Sequence, residues 1–162
     1  MKQNLTGMEN IMKTIIELMT DEFKKAFAEC GYSEEYARIT ISNRPDLCEY
    51  QCNGAMAGAK AYHKAPIMIA QDVVAKLEGS GCFCDVQAVN PGFINLKLDE
   101  RFVADYLDEM ETDEDLGLNK TDNPKMIVID YGGPNVAKPL HVGHLRSAVI
   151  GESVKRICRF MG

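Results

Sequence analysis

The sequence predicts an α+β fold, a small sheet with helices on one face, followed by the first βα unit of a separate α/β fold. Three observations lead there. Helical and strand periods of apolar residues alternate up to about residue 112; a continuous apolar run, Met126-Ile127-Val128-Ile129, then enters a Gly/Pro-rich loop and a second helical period. The charge also changes sign. From Lys120 onward seven basic residues stand against three acidic ones, a net of +4, whereas residues 1–119 carry −10. The expected organisation is therefore an add-on domain over 1–112, a polar linker over 113–124 and an incomplete second domain over 125–162.

The elements follow in order. Ile11, Met12, Ile15, Ile16, Met19, Phe23 and Phe27 recur at helical spacing, which predicts a packing helix from about Met8 to Cys30, stopped by Gly31. Ser33-Glu34-Glu35 opens a short helical turn, Ile39-Thr40-Ile41 reads as a strand, and Asn43-Arg44-Pro45-Asp46 breaks it. Leu47 to Asn53 alternates like a strand with one face exposed. Gly54 to Tyr62 is a small-residue helix, and Pro66 at a first turn opens another that runs to Leu77. Phe83 to Val89 and Phe93 to Leu98 flank the turn Asn90-Pro91-Gly92 as a hairpin, and a helix from Glu100 to Glu111 closes the domain. In the second part Met126 to Ile129 lacks polar alternation, which suits a strand buried on both faces of a parallel sheet, and His144 to Met161 is an amphipathic helix.

An apolar fraction of 46% over 162 residues suffices for a core. No apolar run has the length of a leader or of a bilayer span, which places the chain in the cytosol, away from membranes. The six cysteines are then expected to be reduced thiols. Cys48-x3-Cys52 and Cys82-x-Cys84 are not zinc spacings, and no structural metal is expected. The acidic balance argues against nonspecific nucleic-acid binding, while a local patch still allows recognition of one shaped RNA.

Chemistry concentrates between Asp130 and Arg146, where strand, loop and helix N-terminus meet. First-turn backbone N–H groups lack intrahelical partners and the macrodipole adds about half a positive charge, so the junction suits a phosphate. His141 and His144 project from one side of the helix start and can aim two ring donors at one ligand, and Gly143 leaves room for a base or ribose. The plainer alternative is that one histidine caps the helix and the other is solvated.

The string Pro134-Asn135-Val136-Ala137-Lys138-Pro139-Leu140-His141-Val142-Gly143-His144-Leu145-Arg146-Ser147 closely resembles arginyl-tRNA synthetases, and His141-Val142-Gly143-His144 is similar to the His-x-Gly-His signature of class I aminoacyl-tRNA synthetases. The resemblance implies a Rossmann-type nucleotide-binding domain that starts at residue 125. It also implies arginine activation with ATP as substrate, Mg2+ accompanying the nucleotide, and arginyl transfer to tRNA(Arg). Lys138, His141 and His144 would be catalytic and, with Gly143, would bind ATP; Asp130 would hold the arginine guanidinium and Asn135 the amino-acid backbone groups.

The resemblance further makes Tyr50, Gln51 and Asn53 candidate tRNA D-loop contacts; Asn53 as the cap of the following helix is equally open. Gly132-Gly133 stand where family members often carry small hydroxyl residues. Nothing is similar to the second class I signature, Lys-Met-Ser-Lys, so the chain is expected to be an N-terminal fragment, inactive alone, of a protein that is monomeric when whole. Its unfinished sheet would invite pairing or swapping between copies. The runner-up is a non-catalytic tRNA-binding module with a vestigial nucleotide site.

Overall fold

A capping box opens the first helix of the computed structural model, which describes residues 12–133 and 137–162: Thr14 Oγ1 accepts from the Glu17 N–H at 3.3 Å and Glu17 Oε2 from the Thr14 N–H at 2.8 Å. That box starts α1 at Ile15, not at Met8. Met12 and Lys13 are not helical, and the remainder of the expected start lies outside the described residues. α1 (Ile15–Glu29) buries Met19, Phe23, Ala26 and Phe27, one stripe at helical spacing.

The chain divides between Gly117 and Leu118, and the unit Lys13–Gly117 holds a four-stranded sheet. Its strands are β1 (Ile39–Ile41), β2 (Tyr50–Cys52), β3 (Phe83–Val89) and β4 (Phe93–Leu98), in the order β1-β2-β4-β3 and antiparallel throughout. The expected strand over Leu47–Asn53 shrinks to its last part, because Asp46 to Cys48 still belong to the turn after β1. Strand alternation then decides the two faces. Ile39, Cys52, Ile94 and Leu96 point to the helices and join Phe23, Phe27, Ile69, Val73 and Leu77 in one core.

α2 (Gly54–Gly58) is shorter than expected, ending in a turn through Tyr62, and α3 (Pro66–Leu77) has the expected bounds, with proline in its first turn. Its buried side is Ile69, Ala70, Val73 and Leu77; Ile67 and Val74 are only half-buried. Tyr32, Lys64 and Asp72 brace this layer: the Tyr32 hydroxyl donates to Asp72 at 2.5 Å, and Lys64 donates to Tyr32 at 3.0 Å and pairs with Asp72. α4 (Glu100–Thr112) is capped by Asp99, which accepts from Arg101 and Phe102, but no residue of α4 is buried.

The six cysteines are free. Cys48 donates to Ser42 Oγ at 3.2 Å and Cys52 to the Tyr36 carbonyl at 3.7 Å, so these two thiols serve the interior separately. No helix among the described residues is long and apolar enough to cross a membrane.

The second unit, which takes in Met12 and the chain from Leu118, has α5 (Val142–Phe160) as its regular element among the described residues. Here the expected doubly buried strand is corrected. Residues 125–131 form no strand, and Met126 and Val128 are 97% and 88% exposed. A strand exists through its ladder, and among the described residues this unit supplies no second strand to pair with. The apolar stripe of α5 is exposed for the same reason: Ile150, Val154 and Ile157 have no sheet beneath them, and Gly151 is the buried residue of the helix.

Candidate nucleotide site and sheet-face amides

The site begins at the first turn of α5, which starts two residues earlier than the sequence suggested, with His141 as its N-cap. The His141 ring accepts the Gly143 N–H on Nδ1 at 3.1 Å, and the His144 ring accepts the His141 N–H on Nδ1, also at 3.1 Å. This reciprocal arrangement is a capping box built from two imidazoles. Its chemical consequence is a tautomer. A ring that accepts on Nδ1 carries its proton on Nε2, so each histidine keeps one Nε2–H donor for a ligand. The ring centroids are 4.2 Å apart, their planes inclined by 45°.

The caps also change what the helix end offers. The Gly143 amide, expected to meet a phosphate directly, is already taken by the His141 ring. An anion brought to this helix end would therefore meet ring Nε2–H groups and the helix dipole rather than that backbone amide. The role expected of Gly143 changes too. A Cβ there would come within 2.8 Å of His141 Cε1, so the glycine leaves room for the capping ring first, and only then for a ligand.

Both histidines line a hollow of about 1040 Å³, together with Asp130, Gly143 and Ser147. Asp130 is exposed at its edge. Lys138 is also exposed but does not line it, and Asn135 lies outside the described residues. Of the expected set, Asp130, His141, Gly143 and His144 are brought together.

One feature of this unit was not foreseen. Tyr131 lies on α5 at Gly151, where a Cβ would fall 2.0 Å from Tyr131 Cγ, and its hydroxyl donates to Glu152 Oε2 at 2.6 Å. Glu152 also accepts from Lys155 at 2.5 Å and Arg156 at 3.0 Å, and Lys155 stands 5.9 Å from the Tyr131 ring centroid. Lys155, then the Tyr131 hydroxyl and Arg156, hold the Glu152 carboxyl down at about 2. A glycine in the middle of a helix was the available signal, since it costs about 1 kcal/mol against alanine and so points to a close approach.

In the first unit the expected RNA contacts separate. Tyr50 shares the helix-covered side of β2 with Cys52 and packs against the core, whereas Gln51 faces the open side. Gln51 Nε2 donates to Asn95 Oδ1 at 2.9 Å. Register places Thr40, Gln51, Asn95 and Gln87 in one row across all four strands, a polar stripe on the helix-free face. Asn53 stands at the N-cap of α2, yet its side chain makes no capping bond; it lines a hollow of about 390 Å³ with Arg38, Glu35 and Tyr36. The capping alternative for Asn53 is thereby set aside.

Comparison with known proteins adds the lineage. Residues 13–98 match the family described as arginyl tRNA synthetase N terminal domain, and residues 107–162 match the class I (R) tRNA synthetase catalytic domain. The chain belongs to the arginyl-tRNA synthetase family. It is 60% identical over 152 residues to the arginine–tRNA ligase of Agathobacter rectalis, covering 93% of this chain and 26% of that protein. With the arginine–tRNA ligase of Alkaliphilus oremlandii it shares 50% identity over 155 residues, 96% of this chain and 26% of that one. The crystal structure of arginyl-tRNA synthetase from Plasmodium falciparum superposes with a TM-score of 0.59 at 26% identity, covering 93% of this chain and 29% of that chain. The chain thus spans about a quarter of the length of the curated relatives it matches.

Proposed function

We propose that this chain supplies the amino-terminal quarter of a cytoplasmic arginine–tRNA ligase, with the hollow at the head of α5 receiving ATP and arginine. One observation carries the reading: two imidazoles 4.2 Å apart, each left with an Nε2–H donor, face one hollow that also holds the Asp130 carboxylate. A carboxylate oxygen of arginine attacks the α-phosphorus of ATP, the bond to the β-phosphate oxygen breaks, and pyrophosphate leaves. A ribose hydroxyl at the 3′ end of tRNA(Arg) then attacks the arginyl carbonyl and AMP departs.

Charge grows on phosphate oxygens in the first step, where His141 and His144 donate and the Lys138 ammonium adds positive potential. Asp130 pairs with the guanidinium, Asn135 holds the amino-acid backbone, and Gly143 keeps the main chain low beside the nucleotide. Asp130 is the one carboxylate lining the hollow, and the described residues contain no group of three side chains suited to a metal. Mg2+ would therefore arrive on the triphosphate and offset its charge.

On the first unit, Gln51 and Asn53 offer amides to the tRNA D-loop; Tyr50 shapes the strand beneath them and reaches RNA only at its edge. Two copies of the isolated chain pair through the exposed segment Ile127–Ile129, whereas the whole ligase is monomeric.

The test uses a chimeric ligase in which this chain replaces the matching quarter of the Agathobacter rectalis protein. Arginine-dependent pyrophosphate exchange, measured with and without tRNA(Arg), should be restored in the chimera and absent from the chain alone. His144→Ala should lower the chimera's rate by about 10²- to 10³-fold, the usual loss for one preorganised donor. An unchanged rate, or exchange by the chain alone, would sink the reading. ATP-independent tRNA affinity with no exchange would favour a binding module instead.

A further inference from the structure

Asp130 and Tyr131 are adjacent where the segment gives way to Gly132-Gly133, and among the described residues no sheet ladder holds the Asp130 carboxylate in place. The histidine rings are fixed independently, by their own caps on α5. What ties the segment to the same helix is the Tyr131 side chain. Its ring lies against the backbone at Gly151, with the ideal Cβ of that glycine only 2.2 Å from Tyr131 Cβ, and its hydroxyl ends on Glu152 at 2.6 Å. Lys155 and Arg156 clamp the carboxylate from the next turn and hold it in its acceptor role.

We propose that Tyr131 and Glu152 are a positioning pair that sets the gap between the Asp130 carboxylate and the His141 and His144 donors, and thereby the affinity for the amino acid in preference to the nucleotide. The proposal rests on the ligase reading given above. Loosening Tyr131 moves Asp130, one peptide bond away. It leaves the two rings where the helix caps them. Loss of the pair is thus expected to weaken arginine binding selectively, whereas damage to the helix would weaken both substrates.

Two measurements test it, and the first needs no catalysis. In the chain itself, heteronuclear NOE values at the Gly132 and Gly133 amides should fall towards those of a freely moving loop in Tyr131→Phe and Glu152→Ala. They should stay close to the parent value in Arg156→Gln and recover in Glu152→Gln, which keeps an acceptor at the same reach. Unchanged values in both Tyr131→Phe and Glu152→Ala would overturn the pair.

The second measurement is pyrophosphate exchange in the chimera. Tyr131→Phe and Glu152→Ala should each raise KM for arginine about tenfold, while KM for ATP and kcat change less than about threefold. The double variant should be no worse than the poorer single. Equal rises in both KM values, or additive losses, would overturn the positioning role. A silent parent chimera would instead sink the ligase reading and with it the assignment to arginine, and the NOE data would still decide whether the pair holds the loop.

Discussion

The two units handle apolar surface in opposite ways. In Lys13–Gly117 an antiparallel sheet and its helices close over Met19, Phe23, Phe27, Ile94 and Leu96, all at 0% exposure. From Leu118 onward the apolar residues stand in water, with Ile127 at 60% and Ile157 at 59% exposure. The first unit takes its order from a core. The second takes it from local devices, the paired histidine caps and the Tyr131 contact, which hold a shape without burying much. The hollow at the head of α5 is therefore outlined without a sheet among the described residues of that unit.

The sharpest test of that contrast is stability. Phe23→Ala should cost the first unit about 3 to 5 kcal/mol, the usual loss for an excavated aromatic core, whereas Ile157→Ser should stay within about 0.5 kcal/mol. Denaturant titration with a probe in each unit reads both, and a large loss from Ile157→Ser would show a core where none is described. Light scattering sharpens the same contrast from the other side. The chain should associate reversibly with concentration, and Val128→Lys should return it to monomer; a parent that stays monodisperse and monomeric would refute pairing through that segment.

Removing one cap is a smaller change. His141→Ala should cost the start of α5 about 1 kcal/mol, and His141→Asn should restore most of it while still lacking the ring donor. Helical signal in the first turn, read by amide exchange, should thus separate from catalysis in the chimera: Asn rescues the helix and not the rate.

The smallest effect is that of acid on Glu152. Its carboxyl is held down at about 2, from an ordinary value of 4.5, so the contribution of its contacts is complete above about pH 4.5 and is lost as pH falls towards 2. Gly132 and Gly133 amide shifts should accordingly be flat between pH 7 and 5 and move only in stronger acid. A transition near neutrality would belong to another group.

Most of the first unit was legible because its signals are local. Asn90-Pro91-Gly92 between alternating runs marks the hairpin, and Pro66 marks the start of α3. The start of α1 was misplaced because apolar spacing continues upstream, although Thr14 and Glu17 already spelled the capping box. The opposite orientation of Tyr50 and Gln51 was also open to reading, since neighbours along a strand face opposite sides.

Residues 126–129 illustrate the limit: apolar composition says that a segment can be a central strand, but neighbours make it one. In the site, the two histidines were identifiable as a pair. The plainer alternative has one of them cap the helix and the other solvated, whereas both rings take part in the cap, each with its second nitrogen left to donate. The Tyr131–Glu152 contact depends on how loop and helix meet, which no single window of sequence contains.

A final consequence follows from the lone pairs on the two Nδ1 atoms. Each is engaged by a main-chain amide, so neither nitrogen can turn to a ligand without releasing the opening turn of α5. The same electron pairs that finish the helix also fix which edge of each imidazole is left to meet a ligand.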